Sequence, residues 1–207
     1  MRIGLTGGIA AGKSMVSGLL AELGAWILDA DAISREVVEP GTEGLKAVAA
    51  EFGEKVLLPD GTLDRKALGA EVFGDPQKLE RLNGILHPII KSEMLQRAAA
   101  IEENHPEDIV IFDVPLLIES GWQDVADEVW LVSAPIEQRI RRIAMRDGLD
   151  EKQAMERISA QMTDEQKAKH ADVIINNGGS IQELEERVTK LYAERKYGKK
   201  EEKAQEQ

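Results

Sequence analysis

The sequence predicts an α/β fold, a parallel sheet with helices covering its faces. Two observations carry that expectation. Short β-rich runs alternate with helix-period stretches along the 207 residues, and parallel strands need such crossovers. The first run then empties into a glycine-rich turn, "GGIAAGKS", with a helical pattern directly behind it.

Taken in order, "RIGLT" reads as a buried strand. "KSMVSGLLAELG" spaces Met15, Val16, Leu19, Leu20 and Leu23 as a helix does and closes on Gly24. "AWILD" is the second strand. Between Asp31 and Asp108 no central strand is predicted. "EGLKAVAAEFG", "DRKALGAEVFG" and "PQKLERLNGILHPIIKSEMLQRAAAIEE" read as helices. The last should kink or split at Pro88, which lacks an N–H and crowds the preceding turn. Residues 31–106 are therefore expected as a helical insertion. "DIVIFDVP", "EVWLVSAP" and "ADVIINNGG" complete five strands. "IEQRIRRIAMRD" and "SIQELEERVTKLYAERK" are helical, and a second helical excursion runs from about Asp147 to His170. The expected division is a core of 1–30, 107–140 and 171–198, a lid over 141–170 and a charged tail over 199–207.

The chain carries 26 Lys and Arg against 38 Asp and Glu, a net charge of −12. Such a surface repels nucleic acid and anionic membranes, so an anionic ligand needs a local basic site. No apolar run approaches the ~18 residues that span a bilayer. The start lacks the apolar core of a signal peptide, and the chain has no cysteine, which excludes disulfides and cysteine metal sites. A soluble, cytoplasmic protein is expected.

Gly7, Gly12, Lys13 and Ser14 match G-x-x-x-x-G-K-[ST]. Glycines let backbone N–H groups face an anion, and the following helix adds the positive end of its dipole. Lys13 would reach the β- and γ-phosphates, and the Ser14 hydroxyl would ligate Mg²⁺. A chance glycine-rich turn is the plain alternative; the strand before and the helix after disfavour it. Asp29 and Asp31 end the second strand, where ligands of open α/β sheets sit. Asp31 is the preferred base for an acceptor hydroxyl; it could equally cap the next helix. Asp113 ends the third strand, either as a Mg²⁺ ligand through water or as an ordinary strand-end acid. "VPLLIESG" behind it would form an apolar wall against a substrate. Arg139, Arg142 and Arg146 share one helix face and would meet a triphosphate, against the plainer reading of a solvated charged face. His87 is expected to be structural, with no companion at metal-ligand spacing. The asparagines of "INNGG" could meet a purine edge or simply make a turn.

"GLTGGIAAGKS", "LDADAISREVV", "DGTLDRKALGAEVF", "LNGILHPII", "VPLLIESGW" and "VIINNGG" occur in this order. Together they resemble the dephospho-CoA kinase family, from Arg2 to about Leu191. The resemblance implies a P-loop kinase fold with a five-stranded parallel sheet, a helical substrate-binding insertion and a helical lid. It implies transfer of the ATP γ-phosphoryl group, with Mg²⁺, to the ribose 3′-hydroxyl of dephospho-CoA. Ala10, Ala11, Gly12, Lys13, Ser14 and Met15 would touch ATP, with Gly7 ahead of them. Asp31 would be the catalytic aspartate and Arg142 the lid arginine, with Arg139 and Arg146 beside it and Asn177 near the nucleotide. Arg65, His87 and Leu116 fall in motifs assigned to the substrate. The expected partners are ATP and dephospho-CoA, not nucleic acid or membrane, in a monomer or weak homo-oligomer. The chain departs from the family where Ala10 and Ala11 replace a common Gly-Ser pair and Met15 replaces Thr. If the peptide at Ala10 needs positive φ, alanine carries a cost there that glycine does not. Another small-molecule or nucleoside kinase, or a nucleotide-hydrolysing switch, is the alternative; the insertion after Asp31 and the arginines favour a kinase acting on a small alcohol.

Overall fold

Each β-rich run forms a strand in the computed structural model, which describes residues 1–205 and side chains through residue 198. The side chains of the tail expected at 199–207 lie outside the described residues. The strands are β1 (Arg2–Gly7), β2 (Trp26–Asp29), β3 (Val110–Asp113), β4 (Glu128–Ser133) and β5 (Val173–Asn176), in the order β2-β3-β1-β4-β5. β1 pairs in parallel with β3, setting Leu5 opposite Asp113, and with β4, setting Gly7 opposite Val132. β4 pairs in parallel with β5. This is the five-stranded parallel α/β sheet that the sequence predicts. The strand order reverses direction at β1, so the chain leaving β1 emerges at the crevice where such sheets bind ligands.

Period-two patterning explains the core. Ile3 and Leu5, Ile109 and Ile111, Trp130 and Val132, and Ile175 pack against Val16 and Leu20 of α1 (Lys13–Glu22) and Leu184, Val188 and Tyr192 of α9 (Ile181–Gln205). On the opposite face Gly4 leaves room for Leu117, whose Cδ1 would lie 2.6 Å from an added Cβ. Burial on both faces is why β1, β3 and β4 read as continuous apolar runs, while the edge strands β2 and β5 leave Trp26 and Ile174 exposed.

Contacts divide the chain into two units, Met1–Leu28 with the chain from Ala100 onward, and Asp29–Ala99. The second holds α2 (Ala30–Glu36), α3 (Glu43–Phe52), α4 (Arg65–Val72) and most of α5 (Pro76–Asn104). Its β structure among the described residues is an isolated antiparallel bridge between Leu57 and Leu63. Helix α5 runs unbroken through Pro88, so the expected split does not occur. The carbonyl robbed of its N–H partner belongs to Gly84, and Gly84 and Pro88 are both exposed. The missing bond therefore falls on the solvent-facing side of the helix and leaves no buried orphan. The first unit adds α6 (Ile136–Asp147), α7 (Glu151–Ser159) and α8 (Asp164–Ala168). Full capping boxes start the last two, Asp150 with Gln153 and Thr163 with Gln166. Among the described residues no helix is long and apolar enough to cross a membrane.

In the second unit, Glu71 receives Lys55 at 2.7 Å and also pairs with Lys78. Their hydrogen bonds lower its pKa from 4.5 to about 2. A carboxylate depressed in the folded state stabilises above its unfolded pKa and loses that contribution as pH falls through the folded one. Glu71→Gln should therefore flatten the loss of stability between pH 4.5 and about 2. Urea unfolding of both proteins across that range checks this; parallel curves would contradict it.

Candidate active site

The loop between β1 and α1 is shaped by what cannot fit beside it. A Cβ on Gly7 would sit 2.7 Å from the Val132 carbonyl of the neighbouring strand, and one on Gly8 would collide with the Arg139 guanidinium. Ala11 N–H donates to the Gly8 carbonyl at 3.0 Å, closing a turn in which Ala10 has φ 60°. Positive φ at the third position is the mark of a type II turn, which prefers glycine there. The condition raised by the alanine substitution is thus met: the peptide is left-handed, at a cost of about 1–2 kcal/mol for a residue with a Cβ. A hydrogen bond from a charged donor returns about 1.5–3 kcal/mol, and Arg139 Nε makes one to the Ile9 carbonyl at 2.9 Å.

Gly12 follows with φ 98° and is the N-cap of α1, with no side chain over the helix end. The first N–H groups of α1 are left to face an anion. Lys13 reaches across to an ion pair with Asp113, a buried acid ending β3. Ser14 and Met15 are exposed on the first turn.

Helix α6 brings two arginines onto the loop. Arg142 Nη1 donates to the carbonyls of Ala10 at 3.1 Å and Ala11 at 3.3 Å, and its Nη2 donates to the Asn177 carbonyl at 3.1 Å. Arg139 is buried and also meets Asp164 through Nη1 at 3.2 Å. Arg146, expected on the same face, turns instead to its neighbour Asp147, with bonds of 2.8 and 2.9 Å. That hydrogen bond, first among its causes, holds the Asp147 carboxyl below its usual range. Asn177 is buried and its amide donates to the Ala11 carbonyl at 2.8 Å. One N–H of this amide therefore fastens the loop. Asn176 makes the plain turn, accepting from Gly178 N–H at 2.8 Å. Of the apolar wall, Leu117 and Ile118 enter the core and Leu116 stays 41% exposed.

Asp31, Arg65 and His87 belong to the Asp29–Ala99 unit. Asp29, not Asp31, caps α2, its Oδ1 accepting from Asp31 N–H at 2.7 Å and Ala32 N–H at 3.2 Å. A strand-end side chain in extended conformation can turn back over the helix, whereas one in the first turn cannot. Asp31 is exposed, and its carboxylate has no partner among the described residues. Arg65 opens α4 and donates to the Arg35 carbonyl at 3.5 Å. His87 is half-buried in α5, and burial pushes its pKa down.

Several polar residues escaped the sequence reading. Gln161 Oε1 accepts from Ile9 N–H at 2.8 Å, and Ser133 Oγ donates to Asp164 at 2.6 Å. Lys167, fully buried, lies 2.7 Å from Glu119, a contact of charges and not a directed hydrogen bond. A signal existed for the lysine: "DEQKA" offers only alanine as an apolar residue, so packing α8 must bury a polar side chain. Nothing in local pattern marks Gln161.

The model of the dephospho-CoA kinase family matches residues 1–183. The chain belongs to the dephospho-CoA kinase family. A Geobacter sulfurreducens dephospho-CoA kinase is 45% identical over 93% of this chain and 98% of its own. A Thermus thermophilus crystal structure superposes with TM-score 0.78 at 36% identity, covering 94% of this chain and 97% of that one. A Campylobacter jejuni dephospho-CoA kinase gives 0.74 at 28% identity, over 96% and 98%.

In this kinase, Gly12→Ala would force a Cβ into the Asn177 amide at positive φ. Strain of this kind costs about 1–3 kcal/mol. The midpoint of urea unfolding should fall accordingly; an unchanged midpoint would show that the loop relaxes freely.

Proposed function

We infer that this chain transfers the γ-phosphoryl group of ATP to the ribose 3′-hydroxyl of dephospho-CoA, the last step of coenzyme A synthesis. The observation that carries the reading is membership of the dephospho-CoA kinase family over residues 1–183, in a chain that retains the whole phosphate-loop pattern. ATP and dephospho-CoA are the substrates. The assignment of residues to roles, the metal, the location and the assembly state are our proposals.

Phosphoryl transfer asks for positioning and charge stabilisation more than for covalent chemistry. The N–H groups opening α1 would hold the β- and γ-phosphates, and the Lys13 ammonium would exchange Asp113 for phosphate oxygens. Arg142 is bonded to the Ala10, Ala11 and Asn177 carbonyls beside the same loop; like Lys13, it would exchange these partners for oxygens of the transferring group and stabilise the charge that develops there. Arg146 is a peripheral contact at most, given its pairing with Asp147. Asp31 would accept the proton of the 3′-hydroxyl; the Asp29 cap leaves its carboxylate unengaged for that work. Arg65, His87 and Leu116 would bind the acceptor, His87 as a neutral imidazole.

The residues present fit Mg²⁺ bound through the nucleotide. The exposed Ser14 hydroxyl is a hard oxygen donor on the first turn, and Mg²⁺ takes its remaining ligands from phosphates and water. When bound, it neutralises phosphate charge. No cluster of three metal-ligating side chains occurs among the described residues. The cytoplasmic location follows from the metabolic reaction. The −12 charge supports small-molecule partners over nucleic acid, and a monomer or weak homo-oligomer is the proposed assembly.

A transfer assay over dephospho-CoA, adenosine and shikimate tests the activity; turnover without any acceptor would favour a hydrolysing switch. Lys13→Ala should lower kcat/KM by about 10²–10³, the scale of removing one donor to the transition state. Asp31→Asn should lower kcat by about 10²–10⁴, the usual contribution of a general base, while leaving ATP affinity intact. Steady-state kinetics separate the two, and near-normal turnover of Asp31→Asn would move the base elsewhere.

A further inference from the structure

Two successive peptides of the phosphate loop, Gly8–Ile9 and Ile9–Ala10, are each held by a side chain from outside it. The Gly8–Ala11 turn has Ile9 and Ala10 at its centre, and the orientation of the peptide between them is what separates a type II turn from the commoner type I. Arg139 Nε donates to the carbonyl of that peptide at 2.9 Å. Gln161, in the connection between α7 and α8, accepts from the Ile9 N–H at 2.8 Å. Asp164, the first residue of α8, accepts from Arg139 Nη1 at 3.2 Å and from Ser133 Oγ at 2.6 Å. The Ile9 and Ala10 side chains pack on Ile143, Ala154 and Ile158 of α6 and α7. Turning the peptide over would leave the Arg139 guanidinium, 5% exposed, without its carbonyl acceptor.

We propose that Arg139, braced by Asp164, and Gln161 are positioning residues that hold the Gly8–Ala11 turn, with Ala10 in its left-handed conformation, and so keep the N–H groups of Gly12 and Lys13 aimed at the ATP phosphates. The proposal rests on the reading of this loop as the ATP site. It assigns Arg139 a different task from the direct nucleotide contact expected from its helix face: two of its three nitrogens are engaged by protein oxygens. The need for the grip comes from Ala10. Glycine adopts φ near +60° unaided; alanine must be held there. The contribution of Gln161 and Asp164 to ATP affinity therefore depends on the residue at position 10.

The test uses the full chain and measures ATP affinity, ATP KM and kcat for Gln161→Ala and Asp164→Ala, each alone and combined with Ala10→Gly. Each single variant should weaken ATP affinity and raise its KM by about tenfold, the worth of one hydrogen bond, with kcat within about twofold. Combined with Ala10→Gly, the same substitutions should cost less than about twofold relative to Ala10→Gly alone, because the coupling is removed. An equal cost in both backgrounds would mean direct nucleotide contact and overturn the proposal. A lower melting temperature with unchanged ATP affinity would reduce these residues to structural support and overturn it too. Gln161→Asn keeps the amide but shortens its reach; it should match Gln161→Ala, and wild-type affinity in it counts against the proposal even if the alanine variants fail to fold. Lys13→Ala in the same binding assay separates the two readings: undiminished ATP affinity there would remove the loop as the ATP site altogether.

Discussion

A backbone can turn its N–H groups toward an anion only where side chains are missing or held aside. That constraint organises this protein. Gly7 is excluded from bearing a side chain by the Val132 carbonyl, Gly8 by Arg139 and Gly12 by Asn177. Each exclusion comes from a different element: strand β4, helix α6 and the turn after β5. The parallel sheet brings these elements to one end because every crossover returns the chain in the same direction. The loop is therefore less a flexible glycine stretch than a cast of its surroundings. The one non-glycine residue at positive φ among the described residues, Ala10, lies where the surrounding hydrogen bonds are densest.

Charge follows the same geometry. The chain is strongly acidic overall, yet Lys13, Arg139 and Arg142 converge on a loop of eight residues. They do not repel one another into solvent, because their partners are acids and backbone oxygens: buried Asp113 for Lys13, half-buried Asp164 and the Ile9 carbonyl for Arg139, and the Ala10, Ala11 and Asn177 carbonyls for Arg142. Bonds from charged donors are the strong class. An acidic surface and a cationic loop coexist because the first is spread through water and the second is concentrated at one strand end.

Elements set by local periodicity were legible in the sequence. All five strands, the phosphate-loop helix, the α6 helix and the helical insertion could be read because period two and period 3.6 are properties of a few consecutive residues. What failed needed distant partners or fine backbone geometry. Pro88 suggested a break, but solvent access at Gly84 decided otherwise. Asp29 and Asp31 are equivalent in composition, and only the extended conformation of Asp29 makes it the cap. Arg139, Arg142 and Arg146 share a face, yet what each meets depends on Ile9, Asn177 and Asp147, two of them far along the chain. Asn177 could be read as a turn residue or a purine contact, and the bond of its amide to the Ala11 carbonyl was foretold by neither. Gln161 and Asp164 lie more than 150 residues from Ile9 in the chain, where no pattern within a helix or turn can foretell the contact.

The pairing of Lys167 with Glu119 bears on how this kinase can close over its substrates. Pulling apart two opposite charges that share a dry interior, and leaving each alone, costs about 3–5 kcal/mol. The Glu119 end is rooted in the chain just after β3, whose neighbours are core. Helix α8 is consequently moored, and a swinging cover built from the whole of 141–170 would have to break its mooring on every turnover. Helix α7 is held as well, by Ala154 and Ile158 packed on Ile9 and Ala10, so both helices of that stretch share their footing with the phosphate loop.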